Sequence, residues 1–145
     1  MRSPHEEFFQ KSRFAVIGNS AKYPFPKYTY RGLKECGKIV FAVDPSSTTI
    51  EGDASYMDLT SLPSQVEAVI LELPKNETAT WVTRALDAGI RNIWIHMETE
   101  TPEAVSAAVA AGAIVHTGTC AVMYVLPNSF PHNFHRWIMQ RLKKY

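Results

Sequence analysis

Thiol and imidazole side chains are the first candidates for catalytic chemistry in this sequence of 145 residues. Cys120 follows an apolar segment that ends at His116, and His96 lies near the end of an earlier apolar segment. A cysteine beside a histidine base can act as a nucleophile. Cys120 with His96 or His116 as the base would therefore form the active site of a thiol-dependent enzyme. Cysteines without a disulfide are more often simply buried among apolar side chains. The sequence therefore leaves catalysis uncertain and favours a protein that is not an enzyme.

Two histidines, His132 and His135, are one helical turn apart and could share a metal ion. A zinc site needs about four ligands, and no third candidate lies near this pair in the sequence. Cys36 and Cys120 lack the spacing of a zinc knuckle or of a disulfide framework. We therefore predict no metal site.

An anion site is predicted after the apolar segment Phe14–Gly18. A polar loop, Asn19–Lys27, follows this segment, and its prolines at 24 and 26 are expected to keep it out of a helix. A helical pattern then covers about residues 28–36. A strand that leads into the start of a helix favours a phosphate, because the first helix amides and the positive end of the helix dipole attract an anion. Ser20 adds a hydroxyl group beside these amides, and Lys22 adds a positive charge. The segment 22–38 holds five basic residues and one acidic residue, which is either a counter-charge or a solvated helix face.

The first loop carries only part of the dinucleotide-binding motif Gly-x-Gly-x-x-Gly. Gly18 occupies the first glycine position, whereas Ser20 and Tyr23 replace the second and third glycines. Asp44 stands where an acidic residue would hold the ribose of NAD, but it would equally suit a turn. NAD(P) is therefore the less favoured ligand.

The elements that position these residues alternate between apolar strands and amphipathic helices. Strands that are apolar on both faces are typical of a parallel sheet covered by helices on both sides. We predict a doubly wound, Rossmann-like α/β fold with a mostly parallel sheet. The predicted central strands cover about residues 14–18, 39–43, 68–73, 92–97 and 113–116, with an edge strand and turn within 50–56 and helices that begin near residues 4, 28, 76 and 101.

Ligands of a doubly wound fold lie across the carboxyl ends of the strands, so the residues that follow each strand are the candidate site. Glu72 is unusual just before one of these ends, because carboxylates are rarely buried without a partner. The sequence does not decide between a paired and a solvent-facing side chain at this position. The candidate segments are Gly18–Lys22, Asp44–Ser47, Leu73–Lys75, His96–Glu98 and Thr117–Cys120.

Length and charge set the remaining limits. We predict a single domain over residues 1–145, with a C-terminal helix over 132–144 as an extension. A net charge of +1 argues against a nucleic-acid-binding surface. No apolar segment approaches the roughly 20 residues of a membrane span, and the N-terminus lacks the apolar core of a signal peptide. We expect a cytoplasmic protein with neither a nucleic-acid nor a membrane partner.

The C-terminal helix is amphipathic and basic. Phe134, Ile138 and Leu142 form an apolar stripe, with Trp137 and Tyr145 beside it. The helix folds back on its own sheet or forms a homodimer, since tryptophan, tyrosine and arginine are favoured at interfaces. Binding to a membrane surface is the least favoured alternative, because the helix is short.

An ordered set of short segments between about Ser12 and Pro127 resembles the CoA-binding domain family, the stand-alone relatives of the N-terminal domain of the succinyl-CoA synthetase α-subunit. The set comprises Ala15–Ser20, Tyr30–Leu33, Val43–Pro45, Tyr56–Pro63, Ala88–Ile90, Trp94–Ile95 and Cys120.

The resemblance implies a Rossmann-type domain that binds CoA at its strand ends. Ser20, Ala21 and Lys22 would hold phosphates after the turn at Gly18 and Asn19. The resemblance further implies that Pro45 and Ser47, beside Asp44, lie near the adenosine part, that Leu73 and Pro74 flank the nucleotide, and that His96, Met97 and Glu98 contact CoA.

The sequence departs from the family pattern at two of these places. Ser47 stands where relatives commonly have a lysine that pairs with a CoA phosphate, so Lys22 or Arg31 would have to supply the counter-charge. Ala121 replaces the proline that usually follows the cysteine.

The leading hypothesis is a non-catalytic binding protein for CoA or an acyl-CoA, acting as a sensor or an accessory subunit. One alternative is a small NAD(P)-dependent or thiol-using enzyme with Cys120. The other is a scaffold that has a vestigial cleft and acts through its C-terminal helix.

Overall fold

A computed structural model describes residues 4–121 and Tyr124. The predicted helix over 132–144, its proposed homodimer contact and the pair His132 and His135 lie outside the described residues. Within the described part of the chain, no helix combines the length and apolar character that a membrane crossing requires.

A seven-stranded sheet forms the centre of the molecule, in the order β3-β4-β2-β1-β5-β6-β7. Every neighbouring pair is parallel except β3 and β4, which are antiparallel. The predicted doubly wound, mostly parallel fold is therefore confirmed. The strands are β1 Arg13–Gly18, β2 Ile39–Val43, β3 Thr49–Ile50, β4 Asp53–Tyr56, β5 Ala68–Glu72, β6 Asn92–Ile95 and β7 Ile114–His116.

Helices cover both faces of this sheet. Because side chains alternate between the faces along a strand, Phe14 and Val16 of β1 join one core cluster with residues of the first two helices. Ala15 and Ile17 join a second cluster with residues of the last two. The helices are α1 Pro4–Phe8, α2 Phe25–Glu35, α3 Lys75–Asp87 and α4 Pro102–Ala110, and a 3₁₀ turn covers Leu59–Ser61.

Two helix starts differ from the sequence-based prediction. We expected the prolines at 24 and 26 to exclude residues before Tyr28 from a helix, but α2 begins at Phe25. The first amides of a helix have no acceptor within the helix, so a proline in the first turn removes no hydrogen bond. Similarly, α3 begins at Lys75 rather than after a cap at Asn76.

Other local predictions agree with the structure. Thr101 caps α4, since its hydroxyl oxygen accepts a hydrogen bond of 3.1 Å from the Ala104 amide. The predicted edge strand and turn is the β3–β4 hairpin, whose turn residues Glu51 and Gly52 have φ angles of 47° and 84°.

Candidate ligand site at the carboxyl ends of the strands

The chain leaves β1 and β5 in opposite directions, which creates a cleft between these two strands. The helix after β1 lies on one face of the sheet and the helix after β5 lies on the other. Gly18 at the end of β1 is in register with Glu72 at the end of β5. The candidate site is built around this switch point, as expected for a doubly wound sheet.

Gly18 allows helix α2 to approach the sheet closely. A Cβ atom at this position would lie 2.3 Å from Cγ of Pro26 and 2.7 Å from its Cβ. Pro26 is buried in the first turn of α2. The glycine is therefore required by the contact between helix and strand, which is one of the roles of glycine in nucleotide-binding loops.

The loop after β1 is tied to the loop after β2. The Ser20 amide donates a hydrogen bond of 2.8 Å to Oδ2 of Asp44, and the Ala21 amide donates one of 3.3 Å to Oγ of Ser46. The amides of Lys22 and Tyr23 close a turn on the Asn19 carbonyl oxygen.

This geometry corrects the expected arrangement of the phosphate site. Ser20 lies in a separate turn, five residues before the start of α2 at Phe25, rather than at the start of the helix. Its amide is directed at a carboxylate. The Ser20 hydroxyl and neighbouring lysine side chains are what the loop offers to an anion.

Asp44 stabilises this pair of loops from inside the protein. Only 1% of its surface is exposed. Its Oδ1 accepts hydrogen bonds from the amide and the hydroxyl of Ser46, while Oδ2 accepts from Ser20. Its backbone amide donates to the Tyr56 carbonyl oxygen, and its carbonyl oxygen accepts from the Ser55 hydroxyl. Asp44 thus connects the loop after β1 to the loop after β2, whereas its position in the sequence suggested only a turn.

A polar cavity of about 390 Å³ lies beside these loops. Lys27, in the first turn of α2, contributes the positive charge of the cavity, and Ser46 contributes part of its wall. Lys27 was not among the predicted site residues, although it belongs to the basic segment 22–38, whereas Ser46 lies in the candidate segment Asp44–Ser47. The remaining wall comes from Ser20, Ala21, Ser47 and residues 49–51.

The basic residues of the segment 22–38 differ in their ion-pair partners. Arg31 forms an ion pair of 3.1 Å with Glu51, and Lys34 pairs with Asp53. These pairs connect the helix to the β3–β4 hairpin, so the expected availability of Arg31 as a counter-charge is not supported. Lys22 and Lys27 form no ion pair with any residue that the structure describes.

A second group of functional side chains is buried on the α2 face of the sheet. Glu72 and His96 follow Ile70 and Trp94 by two residues along adjacent strands, so alternation places both on this face. Cys120, in the loop after β7, has a ligand-type atom within 4.8 Å of one on each of them. Glu72 is 2% exposed and Cys120 is 2% exposed. The proximity of Cys120 to His96 was expected, but the participation of Glu72 was not.

Burial dominates the electrostatics of this group. It raises the pKa of Glu72 to about 8, against a smaller lowering by the hydrogen bond of 2.9 Å from the Thr29 hydroxyl. Burial also lowers the pKa of His96 to about 4, with Glu100 acting in the opposite direction. Nδ1 of His96 lies 3.9 Å from Oε2 of Glu72.

His116 is not part of this group. Its ring stacks on Trp94, with 5.5 Å between the ring centroids, and contacts the rings of Phe8 and His5 in α1. Of the two bases considered for a Cys120 nucleophile, His96 has a ring nitrogen within 4.8 Å of the thiol.

The remaining predicted site residues occupy different surroundings. Leu73 is buried in the core under α3 and α4, and Pro74 precedes the first turn of α3. Pro45 lines a separate cavity of about 600 Å³. Met97 packs against Cys120, and Glu98 is exposed with a φ angle of 66° in the turn after β6.

A family model described as CoA binding domain matches residues 12–125, which is most of the chain. The chain belongs to this family. No curated protein matches it.

Solved structures of similar proteins share the fold of this CoA-binding-domain protein. A hypothetical protein from Pyrococcus horikoshii OT3 is 23% identical, with a TM-score of 0.74 and coverage of 87% of this chain and 97% of that one. The cell-free protein ID.343 from Thermus thermophilus is 22% identical, with a TM-score of 0.72 and coverage of 84% and 96%. Prb, a protein redesigned for binding, is 23% identical, with a TM-score of 0.75 and coverage of 88% and 93%. At these identities the likeness concerns the fold alone.

Proposed function

We propose that this protein binds CoA or an acyl-CoA at the carboxyl edge of its sheet without catalysing a reaction. The observation that carries the proposal is the polar cavity between the loops after β1 and β2, together with membership of the CoA-binding family. Its volume of about 390 Å³ lies in the range of small-molecule clefts. A nucleotide of this size also needs positive charge at the cavity.

The residues at the cavity fit the phosphates of CoA better than the sequence suggested. Asp44 would repel a phosphate if its carboxylate faced the cavity, but Ser20 and Ser46 supply three donors to it. Lys27 lies at the cavity without an ion-pair partner among the described residues. We assign Lys27 as the main phosphate contact, with Lys22 and the Ser20 hydroxyl in supporting roles.

The burial of Cys120 supports a non-catalytic role. A nucleophilic thiol must be reached by its substrate, and Cys120 is 2% exposed beneath Phe25, Tyr28 and Met97. In the proposed role the protein binds CoA without reacting with it. Binding alone is sufficient for a sensor or an accessory subunit.

Calorimetric titration with CoA, dephospho-CoA and NAD tests the proposal. We expect saturable binding of CoA and weaker binding of the other two. Lys27→Ala removes one charge-assisted phosphate contact and should weaken CoA binding about tenfold. Ser20→Glu should abolish binding, because it places a second carboxylate beside the phosphates.

Lys38→Ala is the matched control. It removes the same charge just before β2, at the amino ends of the strands and away from the cavity. Its CoA affinity should equal that of the wild type. If none of the three ligands binds, or if Lys27→Ala and Lys38→Ala lose equal CoA affinity, the proposed site is contradicted.

We also propose that the C-terminal segment 132–144 mediates a homodimer. Its amphipathic pattern and its tryptophan, tyrosine and arginine residues support this. Deletion of residues 132–145 should halve the mass measured by light scattering, and an unchanged mass would refute the contact.

A further inference from the structure

Three side chains that can bind a metal ion converge from three different strands. Glu72 ends β5, His96 follows β6 directly, and Cys120 lies four residues beyond β7. One ligand atom from each lies within 4.8 Å of the other two. Glutamate, histidine and cysteine supply an oxygen, a nitrogen and a sulfur, a donor set that Zn²⁺ accepts.

The distances are close to those of a tetrahedral zinc site. Bond lengths of about 2.0–2.3 Å place the ligand atoms of such a site roughly 3.3–3.8 Å apart. Oε2 of Glu72 and Nδ1 of His96 are already 3.9 Å apart. Bringing all three atoms from their present separations to these distances needs side-chain adjustment of about 1 Å.

Two polar atoms of the cluster, one on Glu72 and one on His96, have no hydrogen-bond partner among the described residues. Oε1 of Glu72 and Nδ1 of His96 are both buried, and neither has a hydrogen bond to a residue that the structure describes. Buried polar groups are nearly always satisfied. A carboxylate oxygen and an imidazole nitrogen directed at one point, beside a sulfur atom, are satisfied together by a cation.

The surroundings of the cluster suit a bound cation. The Thr29 hydroxyl donates to Oε2 of Glu72 and fixes the orientation of the carboxylate, as a second-shell group does in metal sites. The ring of Phe25 covers His96, with 4.6 Å between the ring centroids. A Cys120 thiolate and a Glu72 carboxylate would neutralise the two positive charges of Zn²⁺, so that no net charge is buried.

We propose that Glu72, His96 and Cys120 bind one Zn²⁺ ion and supply three of its four ligands. Cys120 binds as the thiolate and Glu72 as the carboxylate, and each releases its proton to solvent when the metal enters. This site goes beyond the proposed CoA function and replaces the sequence-based expectation of no metal site. Its test requires no CoA.

Titration of the chelator-treated, full-length protein with Co²⁺ and then Zn²⁺ tests the site. We expect one Co²⁺ per chain, with the thiolate-to-cobalt charge-transfer band and the intense visible absorption of tetrahedral cobalt. Zn²⁺ should remove both signals. Cys120→Ser should abolish the charge-transfer band, whereas the matched variant Cys36→Ser, which changes the exposed cysteine, should retain it.

The two other ligands are tested by Glu72→Gln and His96→Asn. Each should weaken Zn²⁺ binding, measured by competition with a chromophoric chelator, by about tenfold or more. The double variant His132→Asn/His135→Asn should leave the affinity unchanged, which separates the proposed site from that histidine pair.

A thermal measurement covers the case in which Cys120→Ser does not fold. Zn²⁺ binds only the folded site, so it should raise the Tm of the wild type and of Cys36→Ser, and it should raise that of Glu72→Gln by less. A charge-transfer band that persists in Cys120→Ser, or the same Tm rise in Glu72→Gln as in the wild type, would overturn the proposal. Absence of cobalt binding to the wild type would do so as well.

Discussion

Asp44 and Glu72 are two carboxylates that are almost completely buried at the same edge of the sheet, yet their surroundings differ. Both oxygens of Asp44 accept hydrogen bonds, three in total from Ser20 and Ser46. Glu72 accepts one hydrogen bond from Thr29, and its second oxygen has no partner among the described residues. Burial alone therefore does not tell whether an acidic residue is structural or available for a ligand.

The difference follows from where each residue lies relative to its strand. Asp44 is one residue beyond β2, where the chain turns and directs loop amides toward the side chain. Glu72 is still within β5, so the neighbouring backbone groups are engaged in the sheet. Only side chains of the facing helix and of the adjacent strand ends can reach its carboxylate.

The largest expected effect concerns Asp44. Asp44→Ala removes three hydrogen bonds and leaves the Ser20 amide and both Ser46 donors without their acceptor, so we expect a loss of about 3 kcal/mol in the free energy of unfolding. Urea denaturation measures this loss. The exposed Asp87, changed to alanine, is the control and should leave the midpoint unchanged; equal losses in both variants would show that Asp44 does not hold the loops.

His116 extends the comparison to a buried group that is surrounded by rings rather than by hydrogen-bond donors. Burial, and then the charges of His5 and Lys11, lower its pKa to about 4. The unfolded chain takes up this proton below about pH 6.5, whereas the folded protein resists it until about pH 4. The stability should therefore be greatest above pH 6.5 and fall between pH 6.5 and 4.

We expect this histidine to contribute on the order of 2 kcal/mol to that fall, after allowance for its partial access to solvent. His116→Phe keeps the ring contact with Trp94 and removes the titrating group. Denaturation from pH 7 to 4 should show a shallower decline for the variant. Parallel curves for the variant and the wild type would mean that His116 is protonated equally in both states.

The smallest effect is expected for Glu72→Gln in the metal-free protein. Glutamine keeps the shape of the side chain and an oxygen that accepts from Thr29, and it introduces no charge. We expect a change of less than about 1 kcal/mol in the free energy of unfolding. A loss as large as that of Asp44→Ala would show that Glu72 holds the structure together, and the contrast between the two carboxylates would be broken.

Local sequence patterns predicted the elements of the sheet well, but they misplaced the beginning of α2. The apolar segments ending at Gly18, Val43 and His116 are strands, and a helix starts beside Thr101, as predicted. The prolines before Lys27 were misinterpreted, because a proline disfavours a helix interior and favours its first turn. Whether a proline lies in the first turn or in the interior depends on where the helix starts. Here the first turn of α2 packs on Gly18 through Pro26.

The candidate site was predicted in outline only. The position of Ser20 and Asp44 at strand ends followed from the sequence, whereas their hydrogen bond did not. Lys27 was visible only as one of several basic residues. The sequence did not show that Arg31 pairs with Glu51, because that contact needs the hairpin to fold toward α2.

The sequence by itself determined the alternation of strands and helices, the parallel sheet and the edge at which we expect a ligand, because these depend on local apolar periodicity and on the handedness of the crossovers. The tertiary structure alone decided which side chains meet at that edge. Glu72, His96 and Cys120 are separated by more than 20 residues along the chain, and only the order β5-β6-β7 and the alternation of side chains bring them to one face. The packing of the whole domain sets the order of the strands, so local sequence patterns do not predict it.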